Sequence, residues 1–557
     1  FGNSDDFQIY HDSTNNRIDT YGKQIDIVNK GADGSVYENI LRLVPDGQIE
    51  LYHNTIKKLE TTSGGINVIG AITVNGAALS SAPTITATAN GAIAANKPVI
   101  VNSSGNVEQI AIATAVTGSD NNANGGSKSL DNMGCWDETN SYFVYGFRDY
   151  STGNTEKPAV KVGTLSGTTI SWGSTVHLDG TDNCNDFHGC VNAGGDRFVF
   201  IFRRSNNDTA VQIGEYSSGS SSWTWGTMYT YGGSYHQYVQ SIVYDSTNGR
   251  VAFSGVRGGD LVLPCFKINT TNNTVSSADW GNGVDTTGSG ITYNSVSYDP
   301  VTNRFLVIWQ RSGLRMRIST SNTANGISFG AINAIHSSNG MDYVQADFDS
   351  NINRWVIAYR NSDASDDPIY FRTIKVNDAS THTCAVDKTV NGEGNNVMYI
   401  DCVYSSLEKK TYVLYSNSAG NIYIKPFTAT LDGITVGSAV TLKSSIKGLE
   451  SNISVNPDSG AIVSIYTRSD SGNTGNYVVY TPAVTNLRST NFIGFSSAAY
   501  SNGNTATINV VGNTTTQSSL TPGKTYYVQS SGSIAATADD PSVPAGVSLS
   551  STKILIK

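Results

Sequence analysis

Between residues 135 and 468 one pattern of apolar and polar positions keeps returning: a strand, a turn built on Asp, Asn or Pro with Gly or Asn, and a second, strongly apolar strand. Six stretches carry it: CWDETNSYFVYGFR, CVNAGGDRFVFIFRR, VYDSTNGRVAFSGVR, SYDPVTNRFLVIWQR, DFDSNINRWVIAYR and SVNPDSGAIVSIYTR. A seventh, CVYSSLEKKTYVLYSN, fits between the last two. The turns are anchored at Asp137, Asn192, Asp245, Asp299, Asp349, Ser405 and Pro457, about 50 to 56 residues apart, the period of a propeller blade.

A further strand follows in several units: TISWGSTV, SWTWGTMY, GISFGAIN and GITVGSAV, centred on Trp172, Trp225, Phe329 and Val436. Four strands in each of seven units predict a seven-bladed β-propeller, and a tandem of β-sandwiches would rarely hold so constant a period. The last unit has strands at 462–467 and 477–480 but lacks the fourth. The apolar run IAIATAV, 110–116, has no blade of its own. It is expected to supply the outer strand of the last blade, which would hide edges that otherwise invite aggregation.

Outside the repeat the texture is more polar. FQIYHDSTNNRIDT (7–20) and IELYHNTIKKLETT (49–62) align Ile9, Tyr10 and His11 with Leu51, Tyr52 and His53. Each reads as a hairpin, and a lone hairpin cannot bury a face by itself. Stacked copies, or copies from neighbouring chains, can. Ile9, Leu51, Leu59 and Ile66 are therefore expected to be covered mainly by other chains. A hairpin around Ser104-Gly105 and the β-rich tail after residue 489 are each too small to stand alone. Together they predict one small β-domain. The expected organisation is a β-rich shaft segment at 1–82, the first part of the small domain at 83–109, the propeller at 110–488 and the rest of the small domain at 489–557. The fold class is thus all-β, with few stretches that favour helix.

Composition narrows the function. The chain of 557 residues has a net charge of −9 and 15% charged residues, which argues against nucleic acid as a partner because phosphate binding needs a basic surface. No apolar run reaches the ~20 residues of a membrane helix, so no membrane insertion is expected. Six scattered cysteines without a CxxC pair make neither a zinc ribbon nor a disulfide scaffold, although Cys184 and Cys190 are close enough in sequence to bridge. The chain begins at Phe1 without Met or a signal peptide, and something upstream is expected to have been removed or left out.

The stretches SDDFQIYHDSTNNRI and GQIELYHNTIKKLETTSGGINVIGAITVNG resemble tail-fibre and virion structural proteins of marine, cyanophage-like tailed bacteriophages, and the tail NFIGFSSAAYSNGNTATINVVGNTTTQSSLTPGKTYYVQSSG resembles a C-terminal module of the same proteins. Together they cover roughly a quarter of the chain; the propeller resembles the variable middle of such proteins only in its general repeat. The resemblance implies a homotrimeric virion appendage, extracellular, joined to other virion or tail proteins and touching a host surface polysaccharide. It does not identify the receptor.

Little in the chain suggests catalysis. There is no HExxH, GxSxG or P-loop, and no metal or cofactor is expected. Adjacent carboxylates, Asp5-Asp6, Asp366-Asp367 and Asp539-Asp540, read as solvated turns. The SWG and SFG strands resemble the Asp-box of sialidases but lack its Asp. A protein that binds rather than an enzyme is expected, with a polysaccharide depolymerase on the propeller or a purely structural decoration protein as alternatives. The second strand of most units ends in arginine: Arg148, Arg203, Arg257, Arg311, Arg360 and Arg468, with Ser416 breaking the series. They predict a ring on one face, either a collar for anionic sugars or, since ligands rarely share sevenfold symmetry, a set of structural pins. The irregular loops DGTDNCNDFHG (179–189) and YTYGGSYHQY (229–238) carry aromatic and hydrogen-bonding groups suited to sugars. Tyr231, Tyr235, His236 and Tyr238 are the first candidates for ligand binding, and Asp186 and His188 the second.

Overall fold

The computed structural model describes residues 7–20, 23–30, 37–70, 73–74, 77–78, 82–137, 139–151, 156–179, 182–231, 241–279, 282–288, 290–323, 326–364, 367–378, 383–391, 396–446 and 448–557. The chain divides into two compact units, one of residues 112–485 and one of 1–111 with 486–557.

In the first unit the antiparallel sheets form seven successive blades among the described residues. Blade 1 runs Ser129–Trp136, Tyr142–Asp149, Lys157–Ser166 and Thr169–Trp172, and blade 2 Cys184–Asn192, Arg197–Arg204, Thr209–Ser217 and Ser222–Trp225. The inner strands of blades 3 to 7 are Ile242–Asp245, Asn294–Asp299, Met341–Asp349, Val397–Ser405 and Gly448–Val455. Each inner strand touches the next, and that of blade 7 touches that of blade 1. The ring is closed, and the protein is an all-β, seven-bladed β-propeller.

The second strand of each blade explains why the repeat was so apolar. In blade 4, Phe305, Val307 and Trp309 pack with Ala252 and Val256 of blade 3, while Leu306 and Ile308 pack with Trp355, Ile357 and Tyr359 of blade 5. The strand period of two sends alternate residues to opposite neighbours, and a strand buried on both faces reads as a continuous apolar run. Every junction has its own core of this kind, including the last, where Ala461, Val463 and Ile465 meet Phe143, Tyr145 and Phe147.

The ring closes from its N-terminal side, but later than expected. Val116–Thr117 pairs with Tyr480 and Thr481, and Asn121–Asn122 pairs with Asn476 and Tyr477. Ile110 instead packs in the other unit, against Leu487 and Phe495. The outer strands are broken at the glycine of the SWG-type motif. Gly173 N–H donates to Val162 O and Gly226 N–H to Ile213 O, and a short second segment then pairs with the same third strand. Blade 3 departs most from the repeat, forming a four-stranded and a three-stranded sheet.

The turn anchors cap their own turns. Asp137, Asp299 and Asp349 each accept backbone N–H groups two and three residues on. In blade 7 the capping residue is Asn456, which accepts from Asp458 and Ser459, one place before the expected Pro457.

The second unit begins with the hairpin Gln8–His11/Asn16–Asp19 and a five-stranded antiparallel sheet made of Ile25–Lys30, Tyr37–Leu43, Ile49–His53, Ile56–Thr62 and Gly65–Val68. A further sheet is built from both flanks of the ring sequence: Thr84–Thr88, Thr505–Asn509, Phe492–Ser496, Pro98–Val101 and Val107–Gln109. It shares a core with strands of the tail, Ile100, Ile110 and Phe495 meeting Val528, Ile554 and Ile556. Gly494 permits that sheet's close pairing, since its φ is 150° and a Cβ would lie 2.1 Å from Asn509 O.

Candidate functional site

The arginines do form a repeated feature, and most are bound to carboxylates. Arg148 pairs with Asp131 and Glu156, both at 3.0 Å, and Arg203 with Asp186 at 2.5 Å. Arg311 pairs with Asp285 at 3.0 Å, Arg360 with Asp342 at 2.5 Å, and Arg468 with Asp120 at 2.9 Å and Asp470 at 2.8 Å. Arg257 lies in the divided blade 3 and donates to the Tyr231 hydroxyl at 3.1 Å. Outside blade 3 the guanidiniums tie inner strand to second strand or to neighbouring turns, and those five are neutralised within the ring.

The ligand candidates fare unevenly. Tyr231 is half-buried in the strand Tyr229–Tyr231 and is held by Arg257. Tyr235, His236 and Tyr238 lie outside the described residues. Asp186 is partly exposed but engaged by Arg203. His188 is corrected: most of its loop is the inner strand Cys184–Asn192, and the ring is buried at 7% exposure. Burial lowers its pKa to about 4, so it is a neutral interior group rather than a surface ligand. Cys184 and Cys190 are both free thiols.

The inner strands also fasten blade to blade. Side chains of one inner strand, or of the residue just before it in the case of Ser241, accept backbone N–H groups of the next: Ser241 from Val296 at 2.6 Å, Ser295 from Ala346 at 3.3 Å, Asp347 from Tyr404 at 2.7 Å and Asp401 from Ile453 at 2.9 Å. Asn452 accepts from Gly134 at 2.8 Å, and Asp131 from Phe187 at 3.0 Å. Burial pushes Asp347 up to about 6 and Asp401 up to about 7, and it outweighs the Arg148 guanidinium to hold Asp131 at about 7.

A raised carboxyl pKa means that the folded state binds protons the unfolded chain releases. The corresponding stability is complete below the unfolded value near 4 and is lost as pH rises through about 7 for Asp401. The buried His188, with its lowered pKa, acts in the opposite sense below its ordinary value. The clean window is therefore about pH 6.5 to 8. Across it the melting temperature of the protein should fall. Asp401→Asn keeps an acceptor for Ile453 N–H and should flatten the slope. Thermal melts of both proteins at half-unit pH steps check this, and parallel curves would refute it.

Four inner strands carry a further shared device. At Leu130/Met133, Asp342/Gln345, Met398/Asp401 and Leu449/Asn452 the pairing shifts register. At each shift one non-glycine residue adopts a left-handed backbone: Asp131 at φ 52°, Tyr343 at 48°, Tyr399 at 49° and Glu450 at 46°. Each such residue costs on the order of 1–3 kcal/mol. The four belong to consecutive blades 1, 5, 6 and 7 around the ring. Three of them reach one cavity of about 220 Å³, where Tyr343, Tyr399 and Glu450 stand beside Met133, Gln345 and Asn452. Tyr293 of blade 4 extends the aromatic side, with ring centroids 4.8 Å from Tyr343, and Tyr399 lies 5.4 Å from Tyr343 on the other side. The Arg360 guanidinium lies 4.9 Å from the Tyr343 centroid. Of these residues only Arg360 stood out in the sequence. The signal for them is positional: 343, 399 and 450 fall at the same place in successive repeats.

No family model matches the chain, and no curated protein matches it. Among solved structures, one titled as the crystal structure of the mitotic checkpoint complex aligns at 14% identity and TM-score 0.41, covering 65% of this chain and 90% of that one. A protein from Lactobacillus plantarum aligns at 14% identity and TM-score 0.42, covering 60% and 94%. A chain from the COPII outer coat vertex on membranes aligns at 10% and 0.41, covering 65% and 86%. The ring itself is established by the sheet order, and these likenesses carry no statement about function.

Proposed function

We propose that the protein is a homotrimeric virion appendage of a tailed bacteriophage, of the tail-fibre kind, which attaches to a host surface polysaccharide through its propeller. The observation that carries the reading is the face of the five-stranded N-terminal sheet. Direct register aligns Ile27, Leu41, Leu51, Leu59 and Val68 across all five strands, and a second row aligns Ile25, Leu43 and Ile49. Ile27, Ile49 and Leu51 are 50%, 45% and 42% exposed. Glu50, Lys57, Glu60 and Tyr52 belong to the intervening positions, where Lys57 bonds Glu50 at 2.7 Å and Glu60 at 2.6 Å. Lys57 and Tyr52 hold the Glu50 carboxyl down at about 2. The ion network is thus completed within the chain, while the apolar rows are left half-buried or exposed. A single chain exposing so regular an apolar surface is matched to further copies of itself. That need, together with the shaft-like and tail-like sequences, supports an appendage.

The propeller then serves as the binding body, because a shared scaffold with differing loops is where recognition accumulates. Purified protein should adsorb to host cells and compete with infection. Host polysaccharide incubated with it should keep its chain length. Shortening of the polymer would instead establish the depolymerase, and absence of both adsorption and shortening would leave a decoration protein.

A further inference from the structure

We propose that the cavity formed by Tyr343, Tyr399 and Glu450 at the start of the inner strands is a binding pocket for a single neutral sugar ring. The choice of a sugar rests on the attachment reading above; the pocket itself rests on geometry. Its volume of about 220 Å³ lies below the roughly 300–1,000 Å³ of sites for larger ligands, so one ring fits and an oligosaccharide does not. Tyr343 and Tyr399 are half-buried, in contact with each other, and line the cavity. An aromatic wall is what the C–H face of a pyranose packs against. Glu450 is exposed at the rim, and its carboxylate accepts the Asp131 N–H at 3.1 Å. It is an acceptor placed for sugar hydroxyls.

The charge pattern separates neutral from anionic ligands. Arg360 lies beside Tyr343, yet its guanidinium is held by Asp342 at 2.5 Å. Arg148 is held by Asp131 and Glu156. With those cations neutralised and Glu450 at the rim, a uronate or sialate would meet repulsion. The left-handed backbone at Tyr343, Tyr399 and Glu450 adds an independent sign. The ring closes without such a shift in blade 4, whose inner strand Asn294–Asp299 pairs continuously with Arg304–Trp309. Strained non-glycine residues gathered at one cavity mark a functional arrangement.

The test uses the full chain, with methyl glucoside, methyl galactoside and N-acetylglucosamine as neutral probes and glucuronate as the anionic one. Saturation-transfer NMR should show contact with at least one neutral sugar. Tyr399→Ala should weaken it by about tenfold or more, while Tyr399→Phe should retain most of the binding. Glucuronate should bind more weakly than the neutral sugars and gain on Glu450→Gln. Unchanged melting curves establish that the variants fold. Silence with all three neutral sugars, full binding by Tyr399→Ala, or a preference for glucuronate would each overturn the pocket. Host adsorption is measured separately. Sugar binding lost in Tyr399→Ala with adsorption intact would uphold the pocket and remove it from attachment. Adsorption by a protein that binds no neutral sugar would overturn the pocket and leave the appendage reading standing.

Discussion

Replacing Leu51 and Leu59 together by Asp is expected to convert the proposed trimer into monomers while leaving the propeller folded. The two leucines are cross-strand partners in the middle of the apolar row. Leu51 is 42% exposed in the single chain and Leu59 is half-buried. Covering such side chains at an interface contributes up to roughly 1.5–3 kcal/mol each, and a trimer counts each three times. An unpaired carboxylate in the same place is strongly unfavourable. The seven blade junctions take no residue from this sheet, so the main melting transition should persist. Light scattering should report one third of the wild-type mass. Adsorption to host cells should drop by about 10²-fold or more, since linked weak sites gain that much through effective concentration. A wild-type protein that is already monomeric, or a double variant that remains trimeric, refutes the assembly.

The same physics decided what was legible in the sequence. The propeller was readable because each second strand is buried on both faces, and seven such strands repeat at a constant period. The closing strand was misplaced because it lies at an outer edge. There Val116, Thr117, Asn121 and Asn122 need little apolar character, while the more apolar run just before them begins with Ile110, a core residue of the other unit. In the sequence His188 looks like a loop residue because the inner strand of blade 2 is polar and twice interrupted in register, at Cys184/Asp186 and Phe187/Gly189. An interrupted strand loses the alternation that identifies it. The cavity left no mark on the strand alternation for a related reason. Its tyrosines and Glu450 owe their direction to register shifts, and a bulge leaves no periodic trace. The arginine series was visible as a repeat, yet only the partner carboxylates, distant by up to 348 residues in the case of Arg468 and Asp120, decide what it does.

Those partners lead to a graded expectation. Arg360→Ala should destabilise the propeller by about 2–4 kcal/mol, because breaking a buried pair strands its carboxylate and the side chain is mostly, though not fully, covered. The Arg360 side chain is 16% exposed and that of Asp342 is 19%. Arg360 also donates to Val397 O at 3.1 Å, which ties blade 5 to the first residue of blade 6's inner strand. Arg468→Ala removes an arginine from the corresponding place in blade 7, but that side chain is 29% exposed and its partner Asp470 is 33% exposed. Surface pairs of that kind contribute about 0–1 kcal/mol; its second partner, Asp120, is covered, which should set the cost near the top of that range. Denaturant melts should therefore rank Arg360→Ala well below Arg468→Ala in stability. Salt at 0.5 M should weaken the exposed pair more than the covered one, since ions screen what solvent reaches. Adsorption to host cells should be unchanged by either variant at temperatures where it is folded. If Arg360→Ala melts like the wild type and no longer adsorbs, the guanidinium is a ligand for the host surface rather than a pin between blades, and the arginine collar for anionic sugars replaces the neutral pocket as the recognition site.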